Sequence, residues 1–207
     1  MPKRILIINT GGTLSSVKSS KGLVPGMSSG DMLEELRMVS KNLELETEDF
    51  CSLDSSNIGP EDWTRLATLI ARRSYDYHGI VVIHGTDTLA YTSAMLSFML
   101  QNISIPVVVS GSQLSIANPV ADALENCRCG IHMAASGYPG VFVAFNRKVM
   151  LGCRASKVRT MSFDAFESIN YPYVGEISSL GLHVFEKNLV EKKGIFKPQT
   201  AYSDKVA

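Results

Sequence analysis

The chain has 207 residues, 45% of them hydrophobic and 19% charged, a composition typical of a folded domain rather than a disordered chain. Its 20 Lys and Arg side chains balance 20 Asp and Glu side chains, so no net charge attracts nucleic acid or an acidic membrane surface. No apolar run reaches the roughly 20 residues that cross a bilayer, and the run at 5–8 is too short for a secretion signal. We therefore expect a cytoplasmic protein with neither a nucleic-acid nor a membrane partner.

Short apolar runs alternate with segments of helical periodicity along the chain. Strands are predicted at 4–9, 43–50, 79–84, 106–110 and 141–146, and helices after Ser28, from Pro60, at 88–101 and at 119–135. This alternation predicts an α/β fold in which a mostly parallel sheet is flanked by helices on both faces. The segments 149–154 and 175–184 add short strands and a C-terminal β-hairpin. We predict one α/β domain over 1–186, followed by a polar linker or exposed arm over 187–207.

Four polar loops directly follow predicted strands: Thr10–Thr13, Asp54–Asn57, Thr86–Thr88 and Ser110–Gln113. In open parallel sheets, ligands bind beyond the carboxyl ends of the strands. We therefore expect the four loops to meet at one edge of the sheet and to form the chemical centre of the domain.

Two of these loops carry threonine hydroxyls beside glycine. In the loop Thr10-Gly11-Gly12-Thr13, the glycines allow a sharp turn and a close approach to a ligand, which fits a nucleophile loop, a phosphate cradle or a plain tight turn. In 84–88 a strand delivers His84, Gly85, Thr86 and Asp87 to a helix start. Asp87 fits either a helix N-cap or a ligand for a substrate ammonium group.

Other candidate residues also have structural interpretations. The cluster Asp54-Ser55-Ser56-Asn57 fits an Asx or Ser turn leading into the Pro60 helix, or a cradle for a small carboxylate. Lys157 fits an ordinary surface lysine or a member of a general-base network with Asp87. His84 at the end of a buried strand fits a hydrogen-bonded core residue, a ligand or a base.

Taken together and in this order, these motifs resemble the L-asparaginase family, and its cytoplasmic type I branch best. The resemblance spans nearly the whole chain, and the Thr-Gly-Gly-Thr and His-Gly-Thr-Asp-Thr motifs together are highly specific. The segments that carry it are 10–13, 54–63, 84–92, 110–113, 154–157 and 163–166. It implies a flavodoxin- or Rossmann-like N-terminal domain that hydrolyses asparagine to aspartate and ammonia.

The resemblance also implies catalytic roles. Thr13 matches the nucleophilic threonine, which forms an acyl-enzyme through its hydroxyl. Thr86, Asp87 and Lys157 match the second catalytic threonine and its acid/base partners. A threonine hydroxyl is a weak nucleophile until a neighbour accepts its proton, and the developing oxyanion needs fixed donors such as a glycine-rich loop offers.

Substrate-binding roles follow from the same resemblance. Ser55 matches the ligand of the substrate carboxylate, with Asp54 and Ser56 beside it, and Thr86 and Asp87 also match substrate-binding residues. The family acts on a small amino acid and needs no metal or organic cofactor. The four cysteines also lack the spacing of a zinc site. Family sites lie at subunit contacts, which predicts a homodimer or homotetramer.

Two departures from the family pattern affect these expectations. The lid after the nucleophile loop has Leu23 where family members often have a tyrosine, so activation of Thr13 would need another group, such as Ser15, Ser16 or Lys157. Family enzymes also have a smaller C-terminal domain after a linker, so we expect the present chain alone to be weakly active or inactive.

Two alternative functions remain open at this point. One is the amidase subunit of a tRNA-dependent amidotransferase, a related class that usually carries an extra N-terminal domain. The other is a non-catalytic amino-acid-binding domain that lost activation through Leu23.

Overall fold

A computed structural model describes residues 2–12, 16–19, 22–25, 34, 36 and 42–203, with only the backbone for 16–19 and 22–25. The strands are β1 (Lys3–Gly11), β2 (Ser16–Ser19), β3 (Gly22–Pro25), β4 (Leu43–Leu53), β5 (Gly79–Ile83), β6 (Pro106–Ser110), β7 (Gly140–Phe145), β8 (Lys148–Leu151), β9 (Ala155–Lys157), β10 (Phe166–Ser168), β11 (Gly175–Ser178) and β12 (Gly181–Val184). The helices are α1 (Pro60–Arg73), α2 (Leu89–Met99) and α3 (Ala123–Ala135), with 3-10 turns at Ser55–Asn57 and Glu186–Asn188.

Eight strands form one central sheet in the order β12-β11-β8-β7-β6-β5-β1-β4. From β4 to β7 all neighbours are parallel, and from β7 to β12 they are antiparallel. The sheet is therefore mostly parallel at the edge where the polar loops lie, and it ends in the predicted C-terminal hairpin. Two small antiparallel sheets, β2–β3 and β9–β10, lie outside it.

Apolar side chains on the two faces of the sheet build two cores. Alternate residues of β1 separate in this way: Leu6 and Ile8 pack with α1 and α2, whereas Ile5 and Ile7 pack with α3. The same alternation divides β5, where Ile80 and Val82 face one core and Val81 and Ile83 the other. Because both faces are buried, these strands are continuous apolar runs, as expected for a parallel sheet with helices on both sides.

Within the described residues the predicted elements are observed, with three differences: the strand predicted at 149–154 ends at Leu151, the short strands β2, β3, β9 and β10 were not predicted, and α3 starts later than expected. That helix is predicted from Pro119 but begins at Ala123. The Asp122 carboxylate instead accepts hydrogen bonds from the backbone N–H groups of Gln113 and Leu114. The preceding residues are therefore held as a loop against the carboxyl end of β6.

The C-terminal segment after Asn188 has no helix or strand in the part that the structure describes, up to residue 203. It lies along α1 and the end of α2: Gln199 N donates to Met99 O, and Thr64 Oγ1 donates to Thr200 O. The helix expected after Ser28 falls mainly outside the described residues, although Leu36 is helical and buried. Among the described helices, none has both the length and the apolar character needed to cross a membrane.

Candidate active site

The end of β1 brings the first threonine loop to the carboxyl edge of the sheet. Thr10 is buried, and its Oγ1 donates to Ile83 O at 2.9 Å, which joins the ends of β1 and β5. Gly11 and Gly12 follow with φ values of 97° and 86°, a left-handed conformation that favours glycine. Thr13, the predicted nucleophile, lies outside the described residues.

Gly85 is the point at which three of the four loops meet. A Cβ on Gly12 would lie 2.6 Å from Gly85 Cα, and a Cβ on Gly85 would lie 2.6 Å from Ser55 Oγ. These distances are too short for any side chain, so the loops touch through main chain and a buried hydroxyl. The loop after β6 is equally close, since a Cβ on Gly111 would lie 2.2 Å from His84 O. The four loops therefore meet at one edge, as the sequence predicts.

Thr86, Asp87 and Lys157 form a hydrogen-bonded cluster at this edge. Lys157 Nζ donates to Thr86 Oγ1 at 2.9 Å and to Asp87 Oδ1 at 2.6 Å. Thr86 is buried, and the Lys157 side chain is only 16% exposed, whereas the Asp87 side chain is 66% exposed. The ordinary-surface-lysine interpretation of Lys157 is therefore wrong. Lys157 is the last residue of β9, and β9 is held in place by antiparallel pairing with β10 beside the parallel sheet.

Asp87 is not a helix cap. The residue at the N-cap of α2 is Thr88, and its side chain makes no capping hydrogen bond; Thr88 Oγ1 instead donates to Ser55 O at 2.6 Å. The Asp87 carboxylate accepts from Lys157 on one oxygen and is otherwise open to solvent. This arrangement leaves a carboxylate at the mouth of the site, suited to an ammonium group.

The Asp54–Asn57 cluster contains both a turn and a buried hydroxyl. Asp54 Oδ1 accepts from Ser56 Oγ at 2.6 Å and from Ser56 N at 2.9 Å, and so caps the 3-10 turn. Those hydrogen bonds lower the pKa of Asp54, the bond from the Ser56 hydroxyl most of all. Ser55 is buried against Gly85, whereas Asp54 and Ser56 are exposed. The Asx-turn interpretation holds for Asp54, and only Ser55 of the three lies within the loop junction.

His84 is a core residue with both ring nitrogens in hydrogen bonds. Its Nδ1 lies 2.8 Å from Gly85 O and its Nε2 lies 2.9 Å from Thr92 Oγ1, which also accepts from Trp63 Nε1 at 2.8 Å. Because Gly85 O accepts only, Nδ1 carries the proton and Nε2 accepts from Thr92. Burial lowers the pKa of His84 from 6.5 to about 4, so the ring is neutral near pH 7. The sequence left this role open, and nothing in it indicated Thr92 or Trp63 as partners.

Gln113 completes the surroundings of Thr86. Its Oε1 lies 3.2 Å from Thr86 Oγ1, and its Nε2 donates to Thr160 O and Ser162 O. The sequence placed Gln113 in one of the four loops but indicated no role for it. Within the described residues, no group of three or more His, Cys, Asp or Glu side chains is arranged to hold a metal ion.

Comparison with known proteins gives a consistent assignment. The family model "Asparaginase, N-terminal" matches residues 4–190. The L-asparaginase of Thermococcus kodakarensis is 43% identical over 175 residues, which cover 84% of this chain and 53% of that protein. L-asparaginase 1 of Escherichia coli K12 is 37% identical over 194 residues, covering 90% of this chain and 56% of that protein.

A third relative and a solved structure extend the comparison. A glutamyl-tRNA(Gln) amidotransferase subunit of Thermoplasma acidophilum is 30% identical over 204 residues, covering 95% of this chain and 50% of that protein. The structure of the thermostable L-asparaginase from Thermococcus kodakarensis superimposes with a TM-score of 0.82 at 39% identity, covering 97% of this chain and 58% of that one. The chain thus spans about half the length of the relatives it matches. The family model matches nearly the whole length of the chain, and the two threonine loops meet at one edge of the sheet. The chain therefore belongs to the asparaginase family.

Proposed function

We propose that this chain supplies the catalytic N-terminal domain of an amidohydrolase that converts L-asparagine to L-aspartate and ammonia through a threonine acyl-enzyme. The observation that carries the proposal is the cluster in which Lys157 Nζ contacts both Thr86 Oγ1 and Asp87 Oδ1. A buried hydroxyl, an amine and a carboxylate within hydrogen-bond distance are the groups that proton transfer around a nucleophile requires.

In the proposed reaction, the Thr13 hydroxyl attacks the side-chain amide carbon of the substrate. Thr13 directly follows Gly12, whose backbone touches Gly85 beside Thr86. The new C–O bond forms and the C–N bond breaks, while the hydroxyl proton passes by way of Thr86 and Lys157 to the nitrogen that leaves as ammonia. Water then attacks the resulting ester, which releases aspartate and restores the hydroxyl of Thr13. Glycine-loop N–H groups are the donors proposed for the oxyanion.

Substrate binding in this proposal uses opposite charges and buried donors. The exposed Asp87 carboxylate holds the α-ammonium group, because one of its oxygens is bonded to Lys157 and the group is otherwise open to solvent. The Ser55 hydroxyl, buried against Gly85, binds the α-carboxylate, with Ser56 and Asp54 at the rim. No cofactor takes part in these steps.

The test is ammonia release from asparagine by the purified chain and by its Lys157→Met variant, assayed at high protein concentration and over long incubation because the chain alone is expected to be weakly active. Lys157→Met keeps the length of the apolar side chain but removes the amine, and we expect at least about a 100-fold loss of turnover with an unchanged circular-dichroism spectrum. Lys197→Met, at an exposed lysine far along the C-terminal segment, serves as the matched control. Near-normal ammonia release by Lys157→Met would overturn the proposed role.

Similarity to a glutamyl-tRNA(Gln) amidotransferase component supports a second candidate, the amidase subunit of a tRNA-dependent amidotransferase. One measurement distinguishes the two functions. An asparaginase releases ammonia from free asparagine without tRNA, whereas the activity of the second candidate depends on a tRNA-bound substrate. Binding of aspartate without any turnover would instead favour the non-catalytic domain considered because of Leu23.

Several further expectations accompany the proposal. A homodimer or homotetramer remains a prediction, and it is supported by exposed apolar side chains on the loop after Lys157, where Met161 is 88% and Phe163 43% exposed. The cytoplasmic location and the division into a domain at 1–186 and a linker at 187–207 also remain predictions.

A further inference from the structure

Gln113 is held in one orientation by its neighbours. Its Nε2 donates to Thr160 O at 2.9 Å and to Ser162 O at 3.0 Å. Backbone carbonyl oxygens only accept hydrogen bonds, so the NH2 group must face them. The amide oxygen then faces Thr86 Oγ1, 3.2 Å away. Because an amide oxygen also only accepts, the Thr86 hydroxyl must be the donor in this contact.

The backbone of Gln113 is fixed as firmly as its side chain. Gln113 N donates to both carboxylate oxygens of Asp122 at 3.1 Å, and Leu114 N donates to Oδ1 at 3.2 Å. Asp122 is itself buried and accepts from Asn126 Nδ2 at 2.9 Å. A carboxylate bound by several N–H groups holds the loop in place, so the backbone of Gln113 is fixed, while the carbonyl oxygens of Thr160 and Ser162 hold its side-chain amide.

The direction of the Thr86 proton follows from these contacts. With its hydrogen directed to Gln113, the Thr86 oxygen has two lone pairs left, and one accepts from Lys157 Nζ. The second is free to accept a hydrogen bond from a hydroxyl that approaches on the substrate side. When that hydroxyl transfers its proton to the Thr86 oxygen, the original Thr86 hydrogen turns from Gln113 to Lys157 in its amine form, so that Thr86 carries one proton throughout. If the hydrogen pointed to that side instead, Thr86 would present a donor to the nucleophile or to the attacking water.

We propose that Gln113 is a positioning residue that sets the direction of the Thr86 hydroxyl proton, so that Thr86 presents an acceptor to the reacting hydroxyl. This inference rests on the proposed function, because it assigns Gln113 to the proton path through Thr86 and Lys157. It also separates two roles of one amide: Oε1 orients the Thr86 proton, whereas Nε2 holds the loop that contains Thr160 and Ser162.

Two variants distinguish these roles. Gln113→Glu keeps an oxygen acceptor for the Thr86 proton but loses the NH2 donors, and Gln113→Met loses both. We expect kcat for asparagine to fall about tenfold in Gln113→Met, the loss typical of one neutral hydrogen bond, with KM within about twofold of wild type. Gln113→Glu should retain kcat within about threefold above pH 6, where its carboxylate is ionised. Gln101→Met, an exposed glutamine after α2, is the matched control.

A readout independent of turnover keeps failure of the inference distinct from failure of the proposed function. In NMR spectra at low temperature, the Thr86 hydroxyl proton should be a slowly exchanging resonance, identified by its absence in Thr86→Val. We expect it in wild type and Gln113→Glu and expect to lose it in Gln113→Met. Equal loss of kcat in both variants would show that Gln113 only holds the loop, and an unchanged hydroxyl resonance in Gln113→Met would overturn the inference even if no variant, wild type included, released ammonia.

Discussion

The buried histidine makes the stability of the fold depend on pH in a way that can be calculated. His84 donates from Nδ1 to Gly85 O and accepts on Nε2 from Thr92, so a second ring proton would face a hydroxyl that already accepts from Trp63. Burial lowers the pKa of His84 from 6.5 to about 4. Between these two values the unfolded chain binds a proton that the folded chain does not, so the free energy of unfolding falls as the pH falls.

The size of the effect follows from the difference of about 2.5 pH units between the two states. At about 1.4 kcal/mol per unit, the full loss below pH 4 is about 3 kcal/mol, and the loss between pH 7 and pH 4.5 is about 2.5 kcal/mol. Stability from this residue is complete above pH 6.5 and decreases through the acidic window.

Urea unfolding followed by circular dichroism at pH 7 and pH 4.5 measures this loss. Carboxylates that titrate in the same range affect every variant alike, so the comparison is made with His84→Gln, which lacks the titrating ring. We expect the pH-dependent loss in wild type to exceed that of His84→Gln by about 2.5 kcal/mol. His132→Gln, at an exposed histidine on α3, should behave as wild type. A difference below about 0.5 kcal/mol between wild type and His84→Gln would refute the reasoning.

Two further predictions use packing and exposure. In Gly85→Ala the new Cβ would lie 2.6 Å from Ser55 Oγ, so we expect aspartate affinity by calorimetry to weaken at least about tenfold and stability to fall by about 1–3 kcal/mol. Gly59→Ala, with nothing within 4 Å of the new Cβ, should keep the affinity and lose at most about 1 kcal/mol of stability, because Gly59 is the N-cap of α1. In thiol labelling with Ellman's reagent, exposed Cys153 should react first and Cys127 only after unfolding. The reason is that Cys127 is buried, and burial raises the pKa of its thiol to about 12. Labelling of Cys127 as fast as Cys153 in the native chain would contradict its burial.

The sequence was informative about the fold wherever local signals were strong. The buried, mainly apolar runs of β5 and β6 and the proline at the first position of α1 predicted those elements closely. Four short strands were not predicted. β2 and β3 have four residues each and β9 and β10 have three, too few to show a periodicity, and the pairing of β9 with β10 is a tertiary contact. The late start of α3 has the same kind of cause, since Asp122 is held by loop amides rather than by local helix preference.

For the candidate site, residue types at strand ends predicted which loops would meet, but not how their side chains would pair. Lys157 contacts Thr86 and Asp87 across 71 and 70 residues of sequence, and periodicity says nothing about such a contact. The hydrogen-bond chain from Trp63 through Thr92 to His84 likewise joins α1, α2 and the loop after β5. The positions of Thr13 and of the Leu23 side chain lie outside the described residues, so their roles stay predictions.

The contacts of Gly12 with Gly85 and of Gly111 with His84 have a consequence for the selectivity of the proposed enzyme. Main chain packs on main chain at these two points, so the distances between the loops are fixed by peptide dimensions and not by the choice of side chains. Asparagine and glutamine differ by one methylene, a difference worth about 1–3 kcal/mol in a fitted pocket. We therefore expect substitutions that favour one of these substrates to change side chains around the junction, while the glycines themselves stay constant.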